Sequence, residues 1–266
     1  MGGERGRAKG GAMLSARAVR SRRAGTIRRM AHDVATEAEE EYLQTLFWLH
    51  EAGLPMTGAN IARAMQLSAP TVHEMVGRLE RDGYIARAAD KSIRFTESGR
   101  EEAEEIVSRH RLIERFLTDV VGVPWDDVHE EAERLEHAMS PRFEAYVKSA
   151  VGDAKTCPHG HPIQPGTRVE GVPLADVDIG AKVCVLRFEN EAESLLHYLK
   201  DAGLEPGMDG VVARADDEEV TVEVDGGEAT VTRSVAETVS VSADPSPPPR
   251  TALPEQLVLS KDRYGR

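Results

Sequence analysis

The segment TGANIARAMQLSAPTVHEMVGRLERDG, residues 57–83, decides the fold. Thr57 can cap a short helix, and the spacing of Ile61 and Met65 places both side chains on one helical face. A tight turn then leads to Ser68-Ala-Pro-Thr, where proline occupies the first turn of a second helix. The apolar positions of this second helix are Val72, Met75, Val76 and Leu79. Two helices joined by so short a turn are typical of a helix-turn-helix unit.

The flanking segments extend this unit on both sides. Residues 36–52 predict a preceding helix, because their apolar side chains recur at helical spacing and acidic side chains occupy the first turn. After Gly83, residues 84–89 and 91–96 alternate as two short strands about a turn at Asp90, which predicts a β-hairpin. This order of elements predicts a winged helix-turn-helix DNA-binding domain over residues 31–99.

A helical region follows. Residues 96–120 and 125–147 predict two long helices separated at Pro124. Their apolar stripes are larger than one small domain needs, and they comprise Ile106, Ile113, Phe116, Leu117, Val120, Leu135, Met139, Phe143 and Val147. We therefore expect residues 100–150 to form a helical domain whose surplus apolar surface makes a homodimer.

The C-terminal part changes to a strand pattern. Residues 151–170 are rich in glycine and proline and predict a linker, and residues 244–266 predict a flexible tail. Between them, residues 171–243 alternate short strands around one helix at residues 192–202, which predicts a small β-barrel. The predicted strands cover residues 182–188, 210–215, 219–224, 229–233 and 238–241. The fold class is therefore mainly α with a small β part.

Composition limits the class of protein. The chain has 266 residues and a formal charge of −13, enough length for two or three domains with real cores. No run of 18 apolar residues exists, so the sequence predicts no membrane span. Cys157 and Cys184 are the only cysteines and cannot form a disulfide framework, which favours a reducing cytoplasmic location.

The charge is divided unevenly along the chain. Residues 1–30 carry nine Arg and Lys against one Glu, whereas the remainder carries 24 positive against 45 negative side chains. Such an acidic body stays hydrated in concentrated salt, which suggests a halophilic source. The basic segment has three readings: a disordered DNA-binding arm, a transit-like segment, or an upstream extension with Met30 as the real start. We favour the extension, because the composition switches abruptly at Ala31.

The most specific chemical signal is HEEAERLEH, residues 129–137. On a helix, residues 129, 133, 136 and 137 share one face, so two imidazoles and two carboxylates converge. His110 and Glu114 form a similar pair on the preceding helix, and Glu41 in the first helix can complete the set. Oxygen and imidazole donors without thiolate suit Mn²⁺ or Fe²⁺. The plainer alternative is a solvated acidic face with incidental histidines.

The second helix of the helix-turn-helix unit is the predicted DNA reader. Its exposed N-terminal positions, which face base edges in this docking geometry, are Ser68, Pro70, Thr71, His73 and Glu74. Basic side chains expected to meet the phosphate backbone are Arg63, Arg78, Arg81, Lys91 and Arg94. Residues 57–99 hold six positive against five negative side chains, so this region is nearly neutral while the rest is acidic. A purely structural winged helix is the alternative.

Residues 36–148 resemble the diphtheria toxin repressor (DtxR) family, whose manganese branch is MntR. The resemblance rests on Glu41-Tyr-Leu, Ser68-Ala-Pro-Thr-Val, Arg78-Leu-Glu-Arg-Asp-Gly, His110-Arg-Leu-Ile-Glu and Glu133-Arg-Leu-Glu-His. The C-terminal part is similar to the family's FeoA or SH3-like barrel. Iron-type members carry Met and Cys where this chain has Glu41 and Glu133, so the resemblance favours manganese.

The resemblance implies two metal sites. It assigns Glu41, Glu133, Glu136 and His137 to a primary site, and His110, Glu114 and His129 to an ancillary one. Manganese-type members usually have a second acidic residue where this chain has Gln44. The chain therefore departs from the arrangement in which that branch binds a pair of ions. In iron-type members the barrel adds two ligands, a role that Glu189 or Glu191 can fill here.

One further motif stands in the predicted linker. Cys157-Pro-His-Gly-His161-Pro has the form of a C-x-H-x-H metal cluster. A similar turn is common in the family, so we interpret it as a structural turn and not as a set of ligands.

The expected function is a homodimeric repressor of metal-uptake genes that binds a palindromic double-stranded DNA operator when loaded with Mn²⁺, or alternatively Fe²⁺. A metal-dependent hydrolase or oxidase using the same His and Glu cluster is an alternative, although no nucleophile motif or phosphate loop accompanies it. A regulator that senses another signal is a third.

Overall fold

The computed structural model describes residues 35–89 and 92–245. The predicted basic segment 1–30, the predicted DNA contact Lys91 and most of the predicted tail lie outside the described residues. Within the described part, no helix is both long and apolar enough to cross a membrane.

The first domain has the predicted winged helix-turn-helix order. Its elements are α1 Glu37–Glu51, α2 Gly58–Ala64, α3 Ala69–Arg81, β1 Ile85–Arg87 and β2 Ile93–Phe95. The two strands pair antiparallel, with Ala86 opposite Arg94. Leu43, Leu46, Ile61, Leu79 and Ile85 are fully or almost fully buried in its core. The fold of this domain is as predicted.

Local capping explains where its helices start. The Thr57 side chain accepts a hydrogen bond from the Asn60 backbone N–H, and Ser68 does the same for Thr71. The Thr36 backbone N–H and hydroxyl both donate to the Glu39 carboxylate at 2.8 Å. Because Arg78 of α3 lies 2.9 Å from the other oxygen of Glu39, the start of α1 is joined to the last turn of α3.

The helical region differs from the prediction at one point. Its elements are α4 Glu97–Phe116, a π-helical turn Leu117–Val121, α5 Val128–Glu136 and α6 Pro141–Val151. The single helix expected over residues 125–147 was wrong. Ser140 adopts an extended backbone and caps α6, and Pro141 lacks the N–H that a continuous helix would need, so the chain stops and restarts.

The elements of the C-terminal part are β3 Val172–Pro173, β4 Lys182–Phe188, α7 Glu193–Asp201, β5 Asp209–Ala215, β6 Glu219–Val224, β7 Gly227–Thr232, α8 Arg233–Ala236 and β8 Val239–Asp244. The strands form a six-stranded antiparallel sheet with the order β3-β8-β4-β5-β6-β7. The predicted helix and five predicted strands are present, and the short β3 and α8 were not predicted. Leu174, Phe188, Leu196, Leu199 and Leu204 form its centre.

The predicted linker contains an ordered turn. Thr156 and Pro162 form an isolated antiparallel bridge, and the Arg111 guanidinium of α4 donates to the Pro162 carbonyl at 3.0 Å. Arg111 also forms a buried ion pair with Glu51 at the end of α1. The turn is therefore held against α1 and α4 by one buried arginine.

We predict that Gly99→Ala destabilises the protein by about 1–3 kcal/mol, the usual cost of overpacking. Gly99 lies in the first turn of α4, and a Cβ there would stand 1.7 Å from the Tyr84 carbonyl oxygen. Urea unfolding followed by circular dichroism measures the loss. Gly77→Ala is the matched control, because a Cβ there meets only the end of the Arg81 side chain at 3.9 Å. Unfolding midpoints that are equal in the two variants would contradict the predicted clash.

Candidate metal centre

Two adjoining groups of ligand-type side chains lie where α1, α4 and α5 meet. We call the first the inner cluster, which comprises His110, Glu114, His129, Cys157, His159 and Glu191. We call the second the outer pocket, which is a cavity of about 420 Å³ whose ligand-type side chains are Glu37, Glu41, Gln44, Met65, Glu133, Glu136 and His137. The structure thus brings together every metal ligand that the sequence predicted.

The helical part of the inner cluster follows from residue spacing. His110 and Glu114 stand one turn apart on α4, and His129 enters from the first turn of α5. The Nε2 atom of His110 lies 3.1 Å from Glu114 Oε1 and 3.2 Å from His129 Nδ1, and His129 Nδ1 lies 3.0 Å from Glu114 Oε1. Three donor atoms therefore converge on one point inside the protein.

Burial and charge oppose each other in this cluster. Burial lowers the pKa of His129, but the neighbouring carboxylates of Glu114 and Glu133 outweigh it and raise that pKa to about 9. Burial likewise raises the pKa of Glu114, yet the neighbouring His159 and His110 hold it well below its usual range. The negative charge of the buried carboxylates is thus balanced by the positive charge of protonated imidazoles. A bound divalent cation can supply the same positive charge.

The turn at residues 157–161 adds donors that we did not predict as ligands. His159 Nδ1 lies 3.3 Å from Glu114 Oε1 and 3.5 Å from Glu191 Oε1, and its side chain is fully buried. The motif is indeed a turn, closed by a hydrogen bond from the Gly160 N–H to the Cys157 carbonyl. The C-x-H-x-H spacing was the available signal, and the resemblance to a common family turn led us to discount it.

The sheet contributes one carboxylate to the inner cluster. Glu191 Oε2 lies 3.5 Å from His129 Nδ1, just after β4 ends. Glu189 is directed elsewhere, because Arg168, Arg187 and Ser240 hold its Oε1. The resemblance allowed either Glu189 or Glu191 as a ligand from the barrel, and the structure brings only Glu191 to the cluster.

The outer pocket joins α1 to the end of α5. His137 Nδ1 lies 2.6 Å from Glu40 Oε2, and ligand atoms of Glu37, Glu41 and His137 lie within 4.8 Å of one another. Partial burial raises the pKa of Glu41, and the nearby carboxylates of Glu37, Glu133 and Glu136 add to the rise while His137 opposes it. The pocket therefore concentrates negative charge that repels itself unless a cation is present.

Glu136 connects the two groups. Its Oε2 atom lies 2.7 Å from His110 Nδ1 in the inner cluster, and its Oε1 atom lies 3.3 Å from His137 Nε2 in the outer pocket. The side chain is only 2% exposed, so this carboxylate has little alternative hydration. Glu136 is therefore the carboxylate that contacts side chains of both groups.

Buried atoms without hydrogen-bond partners show that the residues fit a metal. Among the described residues, Glu114 Oε2 and Gln44 Nε2 are buried and unpaired, and His129 Nε2 has only Glu133 nearby, at 3.4 Å, without hydrogen-bond geometry. Leaving such atoms unpaired is costly. Coordination of a divalent cation by these carboxylates and imidazoles would satisfy the oxygen and the imidazole nitrogen.

The predicted DNA contacts lie mostly on the exposed surface of the first domain. Ser68, Pro70, Thr71, His73, Glu74, Arg63, Arg81 and Arg94 are all exposed. Arg78 differs, because it is half-buried and paired with Glu39 on α1. The exposed start of α3 is thus accessible to a duplex, while Arg78 connects α3 to the helix that carries Glu41.

Three domain families match the chain along its length. Residues 35–93 match the N-terminal DNA binding domain of iron dependent repressors, residues 96–165 match their metal binding and dimerisation domain, and residues 172–243 match the FeoA domain. The iron-dependent repressor IdeR of Mycobacterium tuberculosis is 34% identical over 223 residues, which cover 77% of this chain and 96% of IdeR. The chain belongs to the DtxR family.

Further relatives agree with this assignment. The diphtheria toxin repressor of Corynebacterium diphtheriae is 39% identical over 143 residues, which cover 54% of this chain and 63% of that repressor. A manganese-dependent transcriptional repressor in complex with manganese superposes with a TM-score of 0.70 at 27% identity, covering 77% of this chain and 99% of the other. IdeR of T. acidophilum superposes with a TM-score of 0.65 at 28% identity, covering 80% and 100%.

As a member of the DtxR family, the protein is a metal-dependent DNA-binding transcriptional repressor. The expected resemblance, fold and repressor function are confirmed, and the alternative of a hydrolase or oxidase has no support among these relatives. The family relatives include both iron-dependent and manganese-dependent repressors.

We predict that Glu136→Gln weakens Mn²⁺ binding by about 10- to 100-fold, the range typical of lost ligand or ligand-orienting groups. The amide keeps the shape of the side chain but removes the charge that faces both His110 and His137. Isothermal titration calorimetry measures the affinity. Glu131→Gln is the control, since Glu131 is exposed on the same helix and pairs only with Arg134 among the described contacts. An affinity for Glu136→Gln within twofold of the control would remove Glu136 from the site.

Proposed function

We propose that this DtxR-family protein is a homodimeric repressor of metal-ion uptake genes, active in the cytoplasm and loaded with Mn²⁺. Glu41, Glu133, Glu136 and His137 would hold the activating cation, and His110, Glu114 and His129 would hold an ancillary one. The first helix, α1, would thereby be held against the helical domain. Two recognition helices in a dimer would then stand at the spacing of a palindromic operator.

The main support for this proposal is that α1 contacts both the outer pocket and the recognition helix α3. Glu41 contributes to the outer pocket, and Glu39, two residues earlier, pairs with Arg78 of α3. When Glu41 stays beside Glu133 and Glu136, α1 and with it α3 lose freedom relative to α5. Less entropy is then lost on operator binding, so metal and DNA binding reinforce each other.

The choice of Mn²⁺ rests on the donor atoms of the outer pocket. Its predicted ligands offer three carboxylates and one imidazole, a set suited to a hard divalent cation, and the thioether of Met65 also lines the pocket but is not among them. Fe²⁺ is the alternative, because IdeR relatives are iron-dependent repressors. The absence of sulfur from the predicted primary set favours Mn²⁺.

An exposed apolar surface on the helical domain supports the homodimer. Val120, Val121, Leu135, Phe143 and Tyr146 are each between 45% and 60% exposed, and all lie in the segment that matches the dimerisation domain. Exposed apolar surface of this kind marks an interaction site, and a second copy of the same chain would cover it.

The reading of DNA is assigned to the start of α3. Pro70 and Thr71 can pack on thymine methyl groups, while Ser68, His73 and Glu74 flank them at the base edges. Arg63, Arg81, Lys91 and Arg94 would contact phosphates. Arg78 would act mainly by its ion pair with Glu39.

We predict that Mn²⁺ tightens operator binding by about 5- to 150-fold and that EDTA reverses the effect, as expected for an allosteric coupling of ordinary size. Duplexes selected from a randomised pool by the Mn²⁺-loaded protein serve as operator, and fluorescence anisotropy at fixed salt gives the affinity. Glu41→Gln should lose most of the Mn²⁺ effect, whereas the exposed Glu101→Gln on α4 should keep it. Equal operator affinity with Mn²⁺ and with EDTA would refute the proposed mechanism.

We predict that Glu133→Cys shifts the activating metal from Mn²⁺ toward Fe²⁺, because a thiolate is a softer donor than a carboxylate. The ratio of metal concentrations that half-activate operator binding, measured anaerobically for both ions, gives the shift. Glu131→Cys on the exposed face of α5 controls for the added thiol. An unchanged ratio in Glu133→Cys would place Glu133 outside the ligand set that selects the metal.

A further inference from the structure

Strand β7 is an edge of the C-terminal sheet. Among the described residues it pairs only with β6, to which a two-residue turn joins it. In such a hairpin the residues that flank the turn form a hydrogen-bonded pair, and so does every second pair after it. Ala229 and Val231 therefore direct their backbone groups toward β6. The backbone groups of Glu228, Thr230 and Thr232 point away from the sheet.

Two of these outward residues have no backbone partner on that side. The Thr232 N–H donates to the Tyr198 hydroxyl of α7 at 3.2 Å, which covers the far end of the edge. Within the described part of the chain, no backbone hydrogen bond joins Glu228 or Thr230 to another element on the outer side. Both residues are exposed. An unpaired row of this kind is a template for another strand.

The side chains around this edge are acidic at one end and apolar at the other. Glu228 lies directly opposite Glu223 on β6, and Asp225 of the turn is close to both in the chain, so the start of β7 is negatively charged. At the far end, the Tyr198 side chain is 38% exposed beside Thr232. A strand that fits this edge needs apolar residues at one end and a basic residue at the other.

The C-terminal part of the chain contains a segment with this pattern, residues 256–261, QLVLSK. A short apolar run bounded by polar residues is typical of a strand. When the segment runs antiparallel to β7 with Leu259 opposite Thr230, Lys261 falls opposite Glu228. Opposite charges are then paired across the two strands, which stabilises the pairing.

The same register fits the remaining side chains. It places Leu257 opposite Thr232, next to the exposed ring of Tyr198. Because side chains alternate between the faces of a sheet, Val258 then shares the face of Val231, which is fully buried in the core. Apolar residues of the segment thus meet apolar surface on both faces.

The chain is long enough to reach this edge. The described residues end after β8, which lies four strands from β7 in the sheet. One row of paired residues crosses the sheet between them, and it comprises Asp244, Lys182, Val211, Glu223 and Glu228. With strands about 4.8 Å apart and a rise of about 3.4 Å per residue, the added strand starts about 28 Å from Asp244. The intervening residues 245–256 include five prolines and can span about 37 Å at about 3.1 Å per residue.

We propose that residues 256–261 of the same chain add to the outer edge of β7 as a seventh, antiparallel strand of the C-terminal sheet. Leu259 exchanges two backbone hydrogen bonds with Thr230, and Lys261 does the same with Glu228. The added strand covers an edge on which another copy of the protein could otherwise pair.

Amide hydrogen exchange of the full chain, read residue by residue by mass spectrometry, tests the added strand. Leu259→Pro removes the N–H that donates to the Thr230 carbonyl, and it changes a residue that follows the last strand of the described sheet. We expect the Glu228 and Thr230 amides to exchange about tenfold or more slowly in the native chain than in Leu259→Pro, as for a local opening equilibrium. Thr251→Pro, in the proline-rich spacer, is the matched control and should exchange like the native chain.

The comparison decides the proposal within one peptide. The Ala229 and Val231 amides donate to β6, so their slow exchange in all three chains reports that the sheet is folded. Rates for Glu228 and Thr230 that are equal in the native chain and in Leu259→Pro, whether fast or slow, overturn the added strand. A chain that ends at Pro245 should match Leu259→Pro.

A mixed sample identifies the chain that supplies the strand. Native chains and isotope-labelled Leu259→Pro chains are unfolded, mixed and refolded together, so that a dimer can contain one of each. Slow exchange of Glu228 and Thr230 in the native chains alone, at every mixing ratio, supports a strand from the same chain. Slow exchange that appears in the labelled chains as well shows that a second copy covers β7, which overturns the proposal.

Discussion

Buried carboxylates that need positive charge are the constraint on which this structure depends. Glu114, Glu136 and Glu191 are withdrawn from water where α1, α4 and α5 meet, and each lies beside imidazoles. The carboxylates Glu114 and Glu136 hold the pKa of His110 well above its usual value, and Glu114 with Glu133 raises the pKa of His129 to about 9. Since burial of unpaired charge is expensive, these carboxylates need protonated imidazoles or a bound cation beside them, and this requirement is the physical basis of the metal site that we propose.

The buried carboxylates lie between the recognition helix α3 on one side and the C-terminal sheet on the other. Glu136 touches both the inner cluster and the outer pocket, and Glu39 joins α1 to the recognition helix through Arg78. The C-terminal sheet also contacts the inner cluster, because Glu191, which follows β4, lies beside His129, and His159 of the 157–161 turn lies beside Glu114. A buried arginine, Arg111, holds that turn against the end of α1. Helices α1, α4 and α5 and the segment that follows β4 therefore share one buried polar core.

Sequence reasoning was most successful where the governing interactions are local. The starts of α1 and α3 at Thr36 and Ser68 were predicted from local sequence signals, and the α4 pair His110 and Glu114 follows from helical spacing. It failed at Ser140-Pro141, where a strong capping signal was overlooked in favour of a continuous apolar pattern. It also discounted His159 as a donor, since a turn motif alone does not reveal what its side chains face.

The sequence by itself determined the helix-turn-helix, the helical spacing of the His and Glu residues, and the family to which the chain belongs. These properties depend on periodicity, caps and short motifs that act over a few residues. Only the tertiary structure decided that Glu191 and not Glu189 enters the cluster, that Glu136 faces two histidines at once, and that Arg78 pairs with Glu39. Those contacts join side chains far apart in the chain, and packing of whole elements against one another sets them.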